Sequence, residues 1–182
     1  DTSSFPFSAV TQRPMAMYHS WGSMNAWLRQ IHGANRLYMS RAKGEAMGIA
    51  QDDWVWVESR NGRVKGQVTL MEGVNPDTVW TWNAIGKRAG AWMLSPDAAE
   101  AERGFLLNHV ISEWLPAQTG PRLANADPIT GQAAWYDLRV NIKKCAPGEE
   151  GITAPHPSAL KPPPNMPEPP DILRFNAGDK KP

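Results

Sequence analysis

Between Trp54 and Leu70 the chain alternates apolar and polar residues on both sides of an Asn-Gly dipeptide, a period that fits strands and not a helix. Trp54-Val55-Trp56-Val57-Glu58-Ser59 is rich in β-favouring residues, and Arg63-Val64-Lys65-Gly66-Gln67-Val68-Thr69-Leu70 alternates back. Asn61-Gly62 between them is the favoured dipeptide of a type I′ turn. The pattern predicts a β-hairpin over 54–70 at the centre of the chain.

Further short strands are expected around it. Met15 and Met17 alternate with smaller or polar neighbours over Thr11–His19, with Pro14 placing that strand at an edge or a strand start. Trp21, Met24, Leu28 and Ile31 recur at helical spacing, with Gly33 as the expected stop. Arg36–Met39 reads as a strand, and Ser40 and Gly48 bracket a short helix over 41–48. Glu72–Asp77 is a turn, Thr78–Trp82 a strand and Asn83–Leu94 a Gly-containing loop. Ser95-Pro96-Asp97 starts a helix, 104–115 is apolar on one face, 116–134 is loop, and Trp135–Ile142 is the last strand. Residues 1–10 read as an N-terminal arm or linker. Ten of the 17 prolines fall in 146–182, a composition that builds no core and suits an extended tail strapped to neighbouring domains, or an SH3-type ligand. The expected organisation is an arm (1–10), a mainly β barrel with short helices (11–145) and a Pro-rich tail (146–182), in place of a doubly wound sheet.

Composition removes several function classes. Nineteen Lys and Arg against 18 Asp and Glu leave a net charge of +1, without the basic excess that nucleic-acid binding needs. No apolar run approaches the ~20 residues of a membrane-spanning helix, so membrane association is expected only through partners. A single cysteine, Cys145, cannot by itself make a disulfide, a cluster or a zinc site. Nine tryptophans fit core and interface packing and also hint at a large covered surface. The chain opens Asp1-Thr2-Ser3-Ser4 with no initiator Met, which implies processing or excision from something longer.

A catalytic centre is not legible. His19, His32, His109 and His156 stand apart, and no nucleophile elbow, phosphate-binding glycine loop or dinucleotide fingerprint is present. Gly22-Ser23 has the form of a self-cleaving pyruvoyl pair, a dipeptide too common to weigh much. Polar residues crowd instead where strands run out: Tyr18-His19-Ser20-Trp21-Gly22-Ser23-Met24-Asn25, Asn83 to Lys87, Asn108, and Asn125 to Gln132. Each also reads as ordinary turn and capping chemistry. Together they offer many neutral donors and acceptors and few charges, which suits the edge of a pterin or purine better than a bare anion.

The order Arg13…Tyr18-His19-Ser20…Asn25, then Ala46-Met47-Gly48-Ile49…Asp52-Asp53-Trp54-Val55-Trp56-Val57-Glu58-Ser59…Asn61-Gly62, resembles the C-terminal molybdopterin-dinucleotide-binding domain of the dimethyl-sulfoxide-reductase family. Asn83…Gly86, Asn108 and Asp127-Pro128-Ile129-Thr130-Gly131-Gln132 follow in the same order, so the resemblance covers about residues 11 to 143. Thr11 to Trp21 resembles the sulfur-compound members most. The resemblance implies a double-psi β-barrel and a molybdenum or tungsten bis(guanine-dinucleotide) pterin. It implies cofactor contacts at His19, Ser20, Trp21, Ser23, Asn25, Asn83, Asn108, Gln132 and Tyr136, with no catalytic residue or metal ligand in this chain. Any iron–sulfur cluster would belong to other parts of the enzyme. The implied partners are the remaining domains of the catalytic polypeptide, a membrane anchor and an iron–sulfur electron-transfer subunit. A cytoplasmic location is favoured, with a periplasmic one possible. A free-standing barrel subunit that binds the cofactor in trans is the alternative, and no activity is expected of the chain alone.

Overall fold

Six strands organise the molecule: β1 (Phe7–Gln12), β2 (Leu37–Ser40), β3 (Trp54–Ser59), β4 (Gly62–Met71), β5 (Thr78–Trp82) and β6 (Arg139–Lys144). The structure, a computed structural model, describes residues 2–83, 85–86, 104–111, 126–127, 129–133 and 138–151. The strands close into a barrel in the order β1-β5-β2-β4-β3-β6. β1 runs parallel to β5 and β2 parallel to β4, whereas β2 and β5 are antiparallel. The antiparallel strands β1 and β2, joined along the chain, therefore have β5 between them. β4 and β5, also joined along the chain, have β2 between them. These two interlocked connections make the fold a double-psi β-barrel.

Alternation along each strand builds the core. Val55 and Val57 on β3, Val64 and Val68 on β4, Val79 on β5 and Val140 on β6 are buried with Phe7, Leu37 and Met39, while the intervening residues face outward. The 54–70 hairpin is present with Ser59 opposite Gly62, so Arg60 and Asn61 form the two-residue connection. Neither has a positive φ, so the turn is not the expected type I′. Tertiary contacts hold it instead. Ser59 Oγ donates to the Val110 carbonyl, as does Asn61 Nδ2 at 3.3 Å.

Other expectations shift at their boundaries. The first strand lies at Phe7–Gln12 and not at Thr11–His19; residues 7–10, read as part of an arm, are its first four residues, and Phe7 and Ala9 are buried in the core. Met15, whose alternation suggested the later strand, is 98% exposed. The helix expected from Trp21 to Ile31 is divided into a 3-10 turn, η1 (His19–Met24), and a short α1 (Ala26–Ile31). Asn25 divides them because its Oδ1 accepts from the Trp27 and Leu28 N–H groups, at 2.9 and 3.4 Å, as an N-cap. α1 ends at Ile31 with His32 as its C-cap, in place of the expected Gly33. α2 (Arg41–Ala46) forms without a Ser40 side-chain cap, and Gly48, at φ 71°, terminates it as expected. There the Ile49 N–H bonds to Gly44 and the Gly48 N–H to Glu45, a Schellman closure. β6 begins at Arg139, and the expected start of that strand at Trp135, the helix at Ser95 and the tail beyond Gly151 lie outside the described residues.

Candidate functional site

The strand directions place the two longest connections together. β1 and β5 are parallel neighbours, paired through Gln12↔Trp82, so the chain leaves both at one end of the barrel. β6 is antiparallel to β1 and β2 to β5, so the chain re-enters at that same end after residues 13–36 and 83–138. The β3–β4 turn is there too, because β4 runs parallel to β2. All nine cofactor-contact candidates lie on these two connections.

His19 and Asn83 meet. Asn83 continues the β5 edge, its N–H donating to the Gln12 carbonyl at 2.9 Å. Its Nδ2 lies 3.2 Å from Nδ1 of His19, which opens η1 in the left-handed region at φ 49°. Few non-glycine residues adopt that conformation, and it costs of order 1 kcal/mol or more. Among the described residues Asn83 Oδ1 is the buried side-chain polar atom with no partner. A buried carbonyl without a donor costs about 1–3 kcal/mol, so the site is built at some expense to stability.

The other candidates are placed more loosely. Ser20, Trp21 and Ser23 share η1 with His19, and the Trp21 side chain is 77% exposed. Asn25 is committed to capping α1. Asn108 is an exposed residue of a second 3-10 turn, η2 (Leu107–Val110), which the Val110 carbonyl ties to the β3–β4 turn. Gln132 is exposed beside the Asp127 turn, where the Asp127 N–H donates to the Gln132 carbonyl at 2.8 Å. No described hydrogen bond joins Asn108 or Gln132 to the His19–Asn83 pair, and Tyr136 lies outside the described residues.

One residue that organises this end carries no site motif. Asn35, 4% exposed, places Nδ2 within 2.8–2.9 Å of the Trp82, Ile85 and Phe105 carbonyls. Its Oδ1 accepts from Thr81 Oγ1 at 2.7 Å and from the Trp82 N–H at 3.1 Å. It thereby fastens the end of the first connection to the start and middle of the second. Gly86 and Gly104 let two stretches of that second connection touch: a Cβ on Gly104 would sit 2.7 Å from the Gly86 Cα. On the paired strands β2 and β5 Tyr38 stacks on Trp80 at 3.9 Å, and Trp82 Nε1 donates to the Tyr38 hydroxyl.

The charge chemistry here is muted. Asp127 is held below its ordinary value by the Thr130 N–H, then by the Thr130 hydroxyl and the Ile129 N–H, which is turn chemistry. No group of three or more His, Cys, Asp or Glu converges to ligate a metal among the described residues. Burial pushes the Cys145 thiol up, away from reactivity. The arrangement therefore offers neutral hydrogen-bonding groups around one unsatisfied acceptor.

The chain is 58% identical over 168 residues to a sulfite dehydrogenase subunit of Allochromatium vinosum, covering 92% of this chain and 17% of that protein. It is 28% identical over 85 residues to the thiosulfate reductase molybdopterin-containing subunit of Salmonella typhimurium, covering 47% of this chain and 11% of that one. It thus spans less than a fifth of the length of these curated relatives. Acetylene hydratase from Pelobacter acetylenicus shares the fold with a TM-score of 0.58 at 16% identity, over 79% of this chain and 19% of that one. Residues 7–126 match the family profile of the molydopterin dinucleotide binding domain, starting where β1 starts, and the chain belongs to that family.

Proposed function

We propose that this chain is the part of a longer molybdenum oxidoreductase subunit that holds the pterin and nucleotide of its cofactor. The observation that carries the reading is the buried, unpartnered Asn83 Oδ1, at the barrel end where both long connections converge. An acceptor left unpaired in a folded protein fits a site completed by a ligand that brings a donor. Neutral donors and acceptors around it suit a pterin or guanine edge. When bound, such a cofactor supplies the metal and the two-electron redox chemistry. The polypeptide's share is to bind, orient and shield: η1 and the start of the second connection shape the mouth, and Asn35 holds the two connections in register. Strong identity to a protein named as a sulfite dehydrogenase favours a sulfur oxyanion as the whole enzyme's substrate.

The test is to express the whole reading frame and the 182-residue chain side by side. The longer polypeptide is expected to carry molybdenum and a dinucleotide pterin in stoichiometric amount and to oxidise sulfite. The 182-residue chain is expected to hold no metal and turn nothing over. A longer polypeptide that folds but contains no pterin overturns the proposal.

A further inference from the structure

We propose that His19 is a positioning residue that fixes the Asn83 amide, so that the site presents an acceptor and selects the N–H donor edge of a 2-amino-4-oxopyrimidine, the chemistry that pterin and guanine share. The proposal rests on the cofactor-binding reading and assigns it an atom. An amide nitrogen only donates, so with Nδ2 at 3.2 Å the Nδ1 of His19 must accept. The ring proton is then on Nε2. With the nitrogen engaged by His19, the amide oxygen is the atom turned inward, where it lies buried without a donor. The φ of 49° at His19 is the backbone cost of aiming its ring at Asn83.

Acid reverses the arrangement. Protonated histidine carries hydrogen on both nitrogens, and Nδ1–H facing the Asn83 NH2 sets donor against donor. The amide must then turn over, bringing its nitrogen where the oxygen stood, and a donor edge is no longer accepted. Protonation of His19 is therefore expected to weaken ligand retention. Among the described residues the groups facing this pair are few. The Tyr18 ring meets His19 edge-on at 5.3 Å, with the Arg13 guanidinium 5.8 Å from the Tyr18 ring. On the β5 side the Gln12 carbonyl takes the Asn83 N–H, and His32 packs against Trp82.

The experiment has one part that needs no cofactor. Nitrogen-15 NMR of the 182-residue chain at neutral pH should show His19 as the Nε2–H tautomer; an Nδ1–H tautomer overturns the proposal. Titrating the same sample with guanosine diphosphate and, separately, with 6-hydroxymethylpterin should move the Asn83 side-chain cross-peaks with one of them, which names the source of the edge. No movement with either also overturns it. In the longer polypeptide, H19L should retain pterin about ten-fold less well, whereas H19Q, whose Oε1 can accept from Asn83, should restore retention. Equal loss in H19L and H19Q overturns the positioning role. A wild-type polypeptide without pterin would instead sink the cofactor reading, leaving the tautomer and probe results to stand or fall separately.

Discussion

Asn35 and Asn83 are both asparagines at the same end of the barrel, yet the bonds around them assign opposite duties. Every polar atom of the Asn35 side chain is engaged within the fold, and removing it would orphan three carbonyls, the Thr81 hydroxyl and the Trp82 N–H together. Asn35→Leu is therefore expected to destabilise the chain by about 2–4 kcal/mol. The Asn83 side chain already leaves its oxygen unsatisfied, and replacing it by an apolar group removes that cost. Asn83→Leu should leave stability within about 0.5 kcal/mol of the parent, or raise it, in the manner of site residues that trade stability for function. Urea denaturation of the two variants decides this. Similar losses in both would mean that Asn83 is a structural residue after all.

At the scale of elements, the segment after β6 behaves unlike its composition. Residues 146–151 begin the Pro-rich region, but they fold back on the outer face of the β3–β4 hairpin. Glu149 holds them there: its carboxylate accepts from the Ala146 N–H at 2.9 Å and from Trp56 Nε1 at 3.2 Å, while its carbonyl accepts from the buried Lys65. Those donors, the Ala146 N–H first and Trp56 next, keep the Glu149 carboxyl below its ordinary 4.5. A carboxyl whose pKa is lower folded than unfolded stabilises the fold above the ordinary glutamate range, and that contribution is lost as pH falls through the folded value. Glu149→Ala should lower the melting temperature at pH 7, with the gap to the parent closing as pH falls below the ordinary glutamate range. A gap that persists unchanged in acid would assign the effect to lost packing. The same scale shows what a sequence can and cannot disclose. The hairpin, the β5 strand and the Gly48 stop are legible because alternation and left-handed glycine are local facts. The turn type is not, because the Val110 carbonyl, about fifty residues away in sequence, anchors Ser59 and Asn61. β1 escapes a sequence reading because Pro6 and the serines before it look like a linker, and because Met15 alternates without facing a core. The candidate site is legible as polar residues at strand ends. The pairing of His19 with Asn83 and the role of Asn35 are not, since both arise only when two distant connections close at one end of the barrel.

For the whole molecule, the surface of the first connection is out of keeping with a domain that stands alone. Met15 is 98% exposed, Trp21 and Trp27 77%, and Tyr18 and Ile31 65%, all between β1 and β2. Trp27 and Ile31 lie one turn apart on α1, none of whose residues is buried. A helix of six residues does not hold itself together in water, and two large apolar side chains on one face give it a surface to bury. Monomeric proteins rarely leave such a patch uncovered, and under the proposed function its cover would be another part of a longer polypeptide, the chain spanning 17% of its sulfite dehydrogenase relative. Two consequences follow for the purified 182-residue chain. It should bind a hydrophobic dye and self-associate with rising concentration, as seen by sedimentation. The double variant Trp27→Glu and Ile31→Glu should suppress both while changing the melting temperature little, because α1 contributes no buried side chain to the barrel. In the longer polypeptide, acrylamide should quench the fluorescence of Trp27 far less than in the isolated chain. A monodisperse chain that binds no dye, or a Trp27 quenched equally in both contexts, would show that this face is left open to water and that the remaining domains pack elsewhere.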